Sequence, residues 1–208
     1  TEDALGVAVT ATSFESLTTI AAGASVGSSV GVGGSVTVNV LEEDTKAWIG
    51  DGAVINDPLA AATSKQDVLV RASDDTDVIS IAGTAQYGGT GGFGAGVDVG
   101  VFDKHTWAYI GTAHVRASDL EIEALSDETV FSVAGSIGVG GFAVGITASV
   151  YAVGSETKAA LVGSKVEAGG DVNLRADDNS KETPSSGQQA GRQGSAGVGG
   201  AADGAPPY

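Results

Sequence analysis

The chain is predicted to be all-β, a repeat protein wound as a right-handed parallel β-helix with a period near 52 residues. Three observations predict it. A short alternating stretch recurs as Val7–Ala11, Val68–Ala72, Leu120–Ala124 and Val172–Ala176, at spacings of 61, 52 and 52. The phrase "TKAWIG" at 45–50 returns as "TWAYIG" at 106–111 and as "TKAALVG" at 157–163. Between them, Val26, Val30, Val32, Val36, Val38 and Val40 all fall on even positions, a period of two that sets them on one face of an extended strand. A solenoid explains the recurrence, because each coil lies against its own copies and buries apolar surface there. A stacked β-hairpin repeat or a sandwich is the alternative, and neither needs a sequence that recurs at 52.

The elements follow in order. Residues 1–11 close a preceding unit, and 12–72 form the first repeat, lengthened by an inserted loop at 56–64 that carries Pro58 and small residues. The second and third repeats span 73–124 and 125–176. Residues 177–208 are a partial fourth repeat or a Gly/Ser-rich tail, since Val nearly vanishes there while Ser, Gln and Gly rise. In the second repeat four strands are expected, over 78–85, 94–102, 107–111 and 114–117, leading into 120–124. Polar turns are expected at 103–105, 111–112, 118–119 and 126–128. Gly follows each alternating stretch about eleven residues on, as Gly23, Gly83, Gly135 and Gly187. A twenty-residue strand would run about 66 Å, so Gly33-Gly34, Gly91-Gly92 and Gly140-Gly141 are expected to bend or break each run. Stacking should line up Ala47, Ala108 and Ala159, with ladders of Thr and Ile beside them.

Composition narrows the function classes. The chain has 208 residues, 33 Gly, no Cys and no Met, with 26 acidic against 10 basic residues and a formal charge of −16. Such a balance argues against nucleic acid and against anionic membrane surfaces. It favours solubility at high salt or a role for divalent cations. Without Cys there is no disulfide framework or thiolate metal site. No apolar run reaches 18 residues, so no transmembrane helix is expected. A membrane β-structure ranks below a filament, because the eleven aromatics are scattered and form no girdle in sequence.

The run "AG…GGxGxGxxVxVNV…TxAxIG…DVxVxA" resembles the repeats of very large secreted bacterial surface proteins of the filamentous-adhesin, haemagglutinin and autotransporter-passenger type, over residues 7–202. The resemblance implies an extracellular, cell-surface β-solenoid: a stalk or adhesive filament, and not an enzyme. It transfers no functional residue. As partners it implies copies of the chain or neighbouring repeats end to end, with host or cell-surface glycans as further candidates. Both ends of the chain are expected to be open β edges that such neighbours satisfy.

Among individual residues the acids stand out. Asp74, Asp75 and Asp77, then Asp127 and Glu128, then Asp177 and Asp178, follow each alternating strand in what reads as a turn. Stacked turns would bring these carboxylates together, and Ca²⁺ with its six to eight oxygen ligands is the cation such a column would take. No cofactor is required. Asp67, Asp119 and Asp171 form a second acidic column. Trp48 and Trp107 are read as one repeat column whose exposed rings would stack on sugars. His105 shares a column with Asp44 and Glu156 and reads as a solvated turn residue, and neither it nor His114 has a Cys partner for a metal site. No G-x-S-x-G elbow or P-loop Lys is present. A polysaccharide-degrading β-helix would need inward acids in one repeat only.

Overall fold

The computed structural model describes residues 6–56 and 66–191, with side chains as far as Asn179. Ten strands follow: β1 (Gly6–Gly27), β2 (Val30–Ile49), β3 (Val54–Ile55), β4 (Asp67–Gly88), β5 (Gly91–Ile110), β6 (His114–Ala117), β7 (Leu120–Val139), β8 (Phe142–Leu161), β9 (Lys165–Ala168) and β10 (Val172–Gly191). No helix occurs among the described residues. All strands pair in parallel, in three sheets ordered β1-β4-β7-β10, β2-β5-β8 and β3-β6-β9. Two long strands and one short one make a coil, and each coil lies on the next. The chain is an all-β parallel solenoid.

The register is that of the repeat. Val7, Val68, Leu120 and Val172 form one column, as do Thr45, Thr106 and Thr157. Ala47, Ala108 and Ala159 line up, and Ile49 meets Ile110 and Leu161. Each 52-residue repeat is therefore one coil. The glycine column contains Gly83, Gly135 and Gly187, but its first member is Ala22, one place before Gly23. The N-terminal extra length falls between β3 and β4, where 57–65 lie outside the described residues, as do 192–208 of the tail.

Strand length departs from the sequence expectation. The long strands run 20 or 22 residues without interruption, three strands per coil instead of four. Gly33-Gly34 lies inside β2, Gly91-Gly92 opens β5, and only Gly140-Gly141 is a turn. Positive φ among the described glycines is confined to Gly52 (76°) and Gly163 (64°), both at the corner that follows a long strand. Most of the other glycines lie within strands. Their role is space: a Cβ on Gly100 would enter the Tyr151 ring of the next coil, and one on Gly88 would strike the Gly91 backbone across the tight turn.

The two long sheets face each other, and the long strands from β1 to β8 change character along their length. At the corner end, the "base", the ordinary pattern holds. Val68, Val70, Ile110, Leu120 and Ile122 are buried inside, and positions such as Thr10, Arg71 and Asp75 face out. Toward the tight turn, the "tip", the pattern inverts with no slip in register. Ser80, Thr84, Asp98, Ser132, Thr147 and Ser149 are buried between the sheets, and the valines face out. Val36, Val38 and Val40 are 63%, 63% and 73% exposed. The alternating valine face that marks the strands in the sequence is thus the outer face and not a core.

Candidate functional site

Between base and tip lies a layer of buried charge. It is built by five strands from the two facing sheets: Glu15 on β1, Glu43 on β2, Asp74 on β4, Lys104 on β5 and Glu128 on β7. Alternation points all five inward. Lys104 is 1% exposed and Asp74 and Glu128 are each 2% exposed. Lys104 Nζ lies 2.5 Å from Asp74 Oδ2 and 3.3 Å from Glu128 Oε1, and it also donates to Thr76 Oγ1. Ser126 donates to Glu128. Thr76 donates to Glu15 at 3.2 Å, and Ser13 Oγ sits 2.5 Å from Glu15 Oε1 and against Glu43 Oε1.

Four carboxyls against one ammonium cannot all hold a full charge in a half-dry layer. Burial, with the hydrogen bond shared with Glu15, pushes Glu43 up to about 7. Burial would raise Glu15 too, but hydrogen bonds with Glu43, Ser13 and Thr76 outweigh it and hold Glu15 below the usual glutamate range. Of the two, Glu43 takes up a proton the more readily and Glu15 holds its charge the more firmly. Asp74 is pushed up by burial despite the ammonium beside it. Ligand atoms of Glu15, Glu43 and Asp74 lie within 4.8 Å of one another, a spacing that suits a cation. The Lys104 ammonium already holds Asp74 there.

The predicted acids divide between faces. Asp74 and Glu128 enter the buried layer, while Asp75, Asp77 and Asp127 face out of strands β4 and β7. None lies in a turn, because the strands run straight through. Like stacks on like only at Asp75 and Asp127: Asp74 pairs with Ser13 and Ser126, Asp178 with Ser126, Glu128 with Thr76, and Asp127 with Asn179 on its other side. Asn179 donates to Asp127 at 2.9 Å, and Asp177 accepts from Arg175 at 2.7 Å. Asp75, Asp127 and Asp177 border an open hollow of about 280 Å³ with Arg175 and Asn179 between them. The second column, Asp67, Asp119 and Asp171, is intact and caps turns: Asp67 Oδ1 accepts from Asp119 N at 3.3 Å, and Asp119 Oδ1 from Asp171 N at 2.8 Å. Sequence reasoning missed Glu15, Glu43 and Lys104. Their inward parity at mid-strand was the available signal.

Trp48 and Trp107 are not one column. Trp48 pairs with Tyr109 and stacks on it at 6.3 Å, whereas Trp107 pairs with Lys46 and Lys158. Lys46 Nζ lies 4.5 Å from the Trp107 ring centre. His105 does share its column with Asp44 and Glu156, at 3.3 and 3.9 Å, and His114 meets Glu167 at 3.4 Å.

A second polar centre lies deeper in the tip. Asp98, fully buried, accepts from Thr37 and Ser80 at Oδ1 and from Ser132 and Tyr151 at Oδ2. Asn39 joins Thr19, Ser80 and Tyr151 to it. Four hydroxyls around one carboxylate satisfy it without a cation.

No family model, curated protein or solved structure matches the chain. No helix among the described residues is long and apolar enough to cross a membrane.

Proposed function

We propose that this chain is a structural segment of an extracellular, cell-surface filament or stalk, lengthened by stacking coil on coil. The observation that carries the reading is the ladder. Three sheets continue in parallel from coil to coil, and among the described residues the outermost strands of each pair on one side only. Such edges are templates for another coil of the same register. A head-to-tail contact of this type propagates without closing. Neighbouring repeats or further copies of the chain would satisfy it equally well. The buried charged layer has the role of a register mark: a coil shifted by one residue would turn Lys104 and its carboxylates to opposite faces.

Negative-stain electron microscopy of the purified chain tests this, in Ca²⁺ and then in chelator. Uniform threads are the expected result, and their loss in chelator would give the outward acids a bridging role. Separate short rods at every concentration would overturn self-stacking. Glycan contact is the second reading. It rests on Trp48, 53% exposed and stacked on Tyr109, which gives a sugar ring a flat apolar face.

A further inference from the structure

We infer that the tip half of the solenoid is built to sit in a lipid bilayer, as an apolar keel along one side of the stacked coils. On the outer face of the second long sheet, the outward positions from Val30 to Val40, Gly91 to Val101 and Phe142 to Ala152 are all Val, Phe, Ile, Ala or Gly. The outer face of the first sheet matches at the same height, over 79–87 of β4 and 131–139 of β7. Inside, the same segments carry hydroxyls, amides and the satisfied Asp98. Water on both sides would favour the opposite arrangement, which is the one the base adopts in the same strands. Apolar outside and polar inside is the pattern that lipid selects.

Dimensions agree. The bands are nine and eleven residues tall, about 30 to 36 Å at 3.3 Å per residue. A bilayer core is about 30 Å thick and takes strands of roughly 9–11 residues. Three strands at about 4.8 Å spacing make the second-sheet face roughly 500 Å², and with the two-stranded band on the other side the bare apolar surface exceeds the roughly 300–600 Å² of a soluble monomer's largest patch. A second copy packed face to face would cover one sheet, whereas both outer faces are apolar to the same level. A change of solvent along the strand covers both at once. The border is drawn by outward charge at Asp75, Asp77, Asp103 and Asp44, and at the far end by short Ser- and Gly-containing turns. With an acidic border the surface chosen is zwitterionic. The apolar composition stops at the fourth coil, where the register sets Thr183, Ser185 and Gln189 beside Phe131, Val133 and Ile137. In lipid the open strand edges need a stacked neighbour, and at that point the inference rests on the stacking reading above.

The test is co-sedimentation of the full chain with phosphatidylcholine vesicles, comparing the parent with Val38→Lys/Val99→Lys on the outer tip and with Thr10→Lys on the outer base. The parent and Thr10→Lys should pellet with vesicles, and the tip variant should lose at least tenfold in partitioning. Because the tip variant can fail to fold, Val38→Trp is read in parallel with bromine-labelled phosphatidylcholine. Its added fluorescence should be quenched, while Trp48 and Trp107 of the parent keep theirs. Failure of the parent to bind vesicles, or binding that a folded tip variant and Val38→Trp quenching show to be independent of the tip, overturns the inference. So do lipid-free oligomers in which Val38→Lys/Val99→Lys restores the monomer. Threads without vesicle binding sink the keel and spare the stacking, and vesicle-bound single rods that never form threads sink the stacking reading.

Discussion

Replacing Lys104 with Met should be among the most damaging single changes in the chain, and its cost should depend on pH. Lys104 is 1% exposed and is the one ammonium among Glu15, Glu43, Asp74 and Glu128. Met matches its length and removes its charge, so packing is nearly kept while Asp74 and Glu128 lose their counter-ion. Breaking a buried pair in this way costs about 3–5 kcal/mol. At about 2–4 °C per kcal/mol for a chain of this size, melting should fall by roughly 10 °C at pH 8. Asp74 already lies above the usual aspartate range, because burial outweighs its ammonium partner. Without Lys104 it can shed its charge by taking up a proton, so at pH 5 the loss should shrink to less than half. Adding Asp74→Asn to Lys104→Met should recover part of the loss at pH 8, since one of the two carboxylates left without a counter-ion is then neutral. The assay is thermal unfolding followed by far-ultraviolet circular dichroism at both pH values. A Lys104→Met variant within 1 kcal/mol of the parent at pH 8, or equally destabilised at both pH values, would refute the claim that the layer is an electrostatic unit.

Two further outcomes follow from the same strands. Glu43 sits at about 7 when folded against 4.5 unperturbed, so its contribution is fully present below 4.5 and is lost as pH rises through 7. After allowance for partial solvent exposure this is about 1–2 kcal/mol, and Glu43→Gln should flatten urea midpoints measured between pH 5 and 8. Gly100→Ala puts a Cβ into the Tyr151 ring and should cost about 1–3 kcal/mol by overpacking, read as a lower urea midpoint, whereas Gly50→Ala, with open space around it, should cost less than 1.

The repeat was legible because stacking copies sequence into space: columns such as Thr45/Thr106/Thr157 and Val68/Leu120 are visible as recurrence before any coordinate is known. Strand ends were not. Gly33-Gly34 and Asp103-Lys104-His105 carry turn residues by composition, yet each lies within a strand held by a neighbouring coil in register, and that pairing overrides local propensity. The direction of each face was not legible either. Alternation says that Val36, Val38 and Val40 share a side, and only the facing sheet decides which side is in. The charged layer needed parity counted across five strands separated by up to 113 positions, from Glu15 to Glu128. Glu43 and Lys104 share a column, and the third copy places Ser155 there, so repetition hid the residues that differ most between copies.

That difference has a physical meaning. A uniform solenoid would carry the same residue in every copy of a column and would tolerate any shift by a whole coil. Here the mid-strand inward column of the second sheet reads Glu43, Lys104, Ser155, while the first sheet offers Glu15, Thr76, Glu128 and, one column over, Ser13, Asp74, Ser126. Only one alignment of the two sheets places the single Lys between Asp74 and Glu128. Sliding one sheet by a full coil would bury the ammonium against Ser or leave two carboxyls facing each other, at a cost of several kcal/mol. Apolar columns of Val, Ile and Ala in the base cannot impose this, since they match after any whole-coil slide. The buried charges contribute little net stability and a large penalty for misalignment, which is what a protein made of near-identical coils lacks elsewhere.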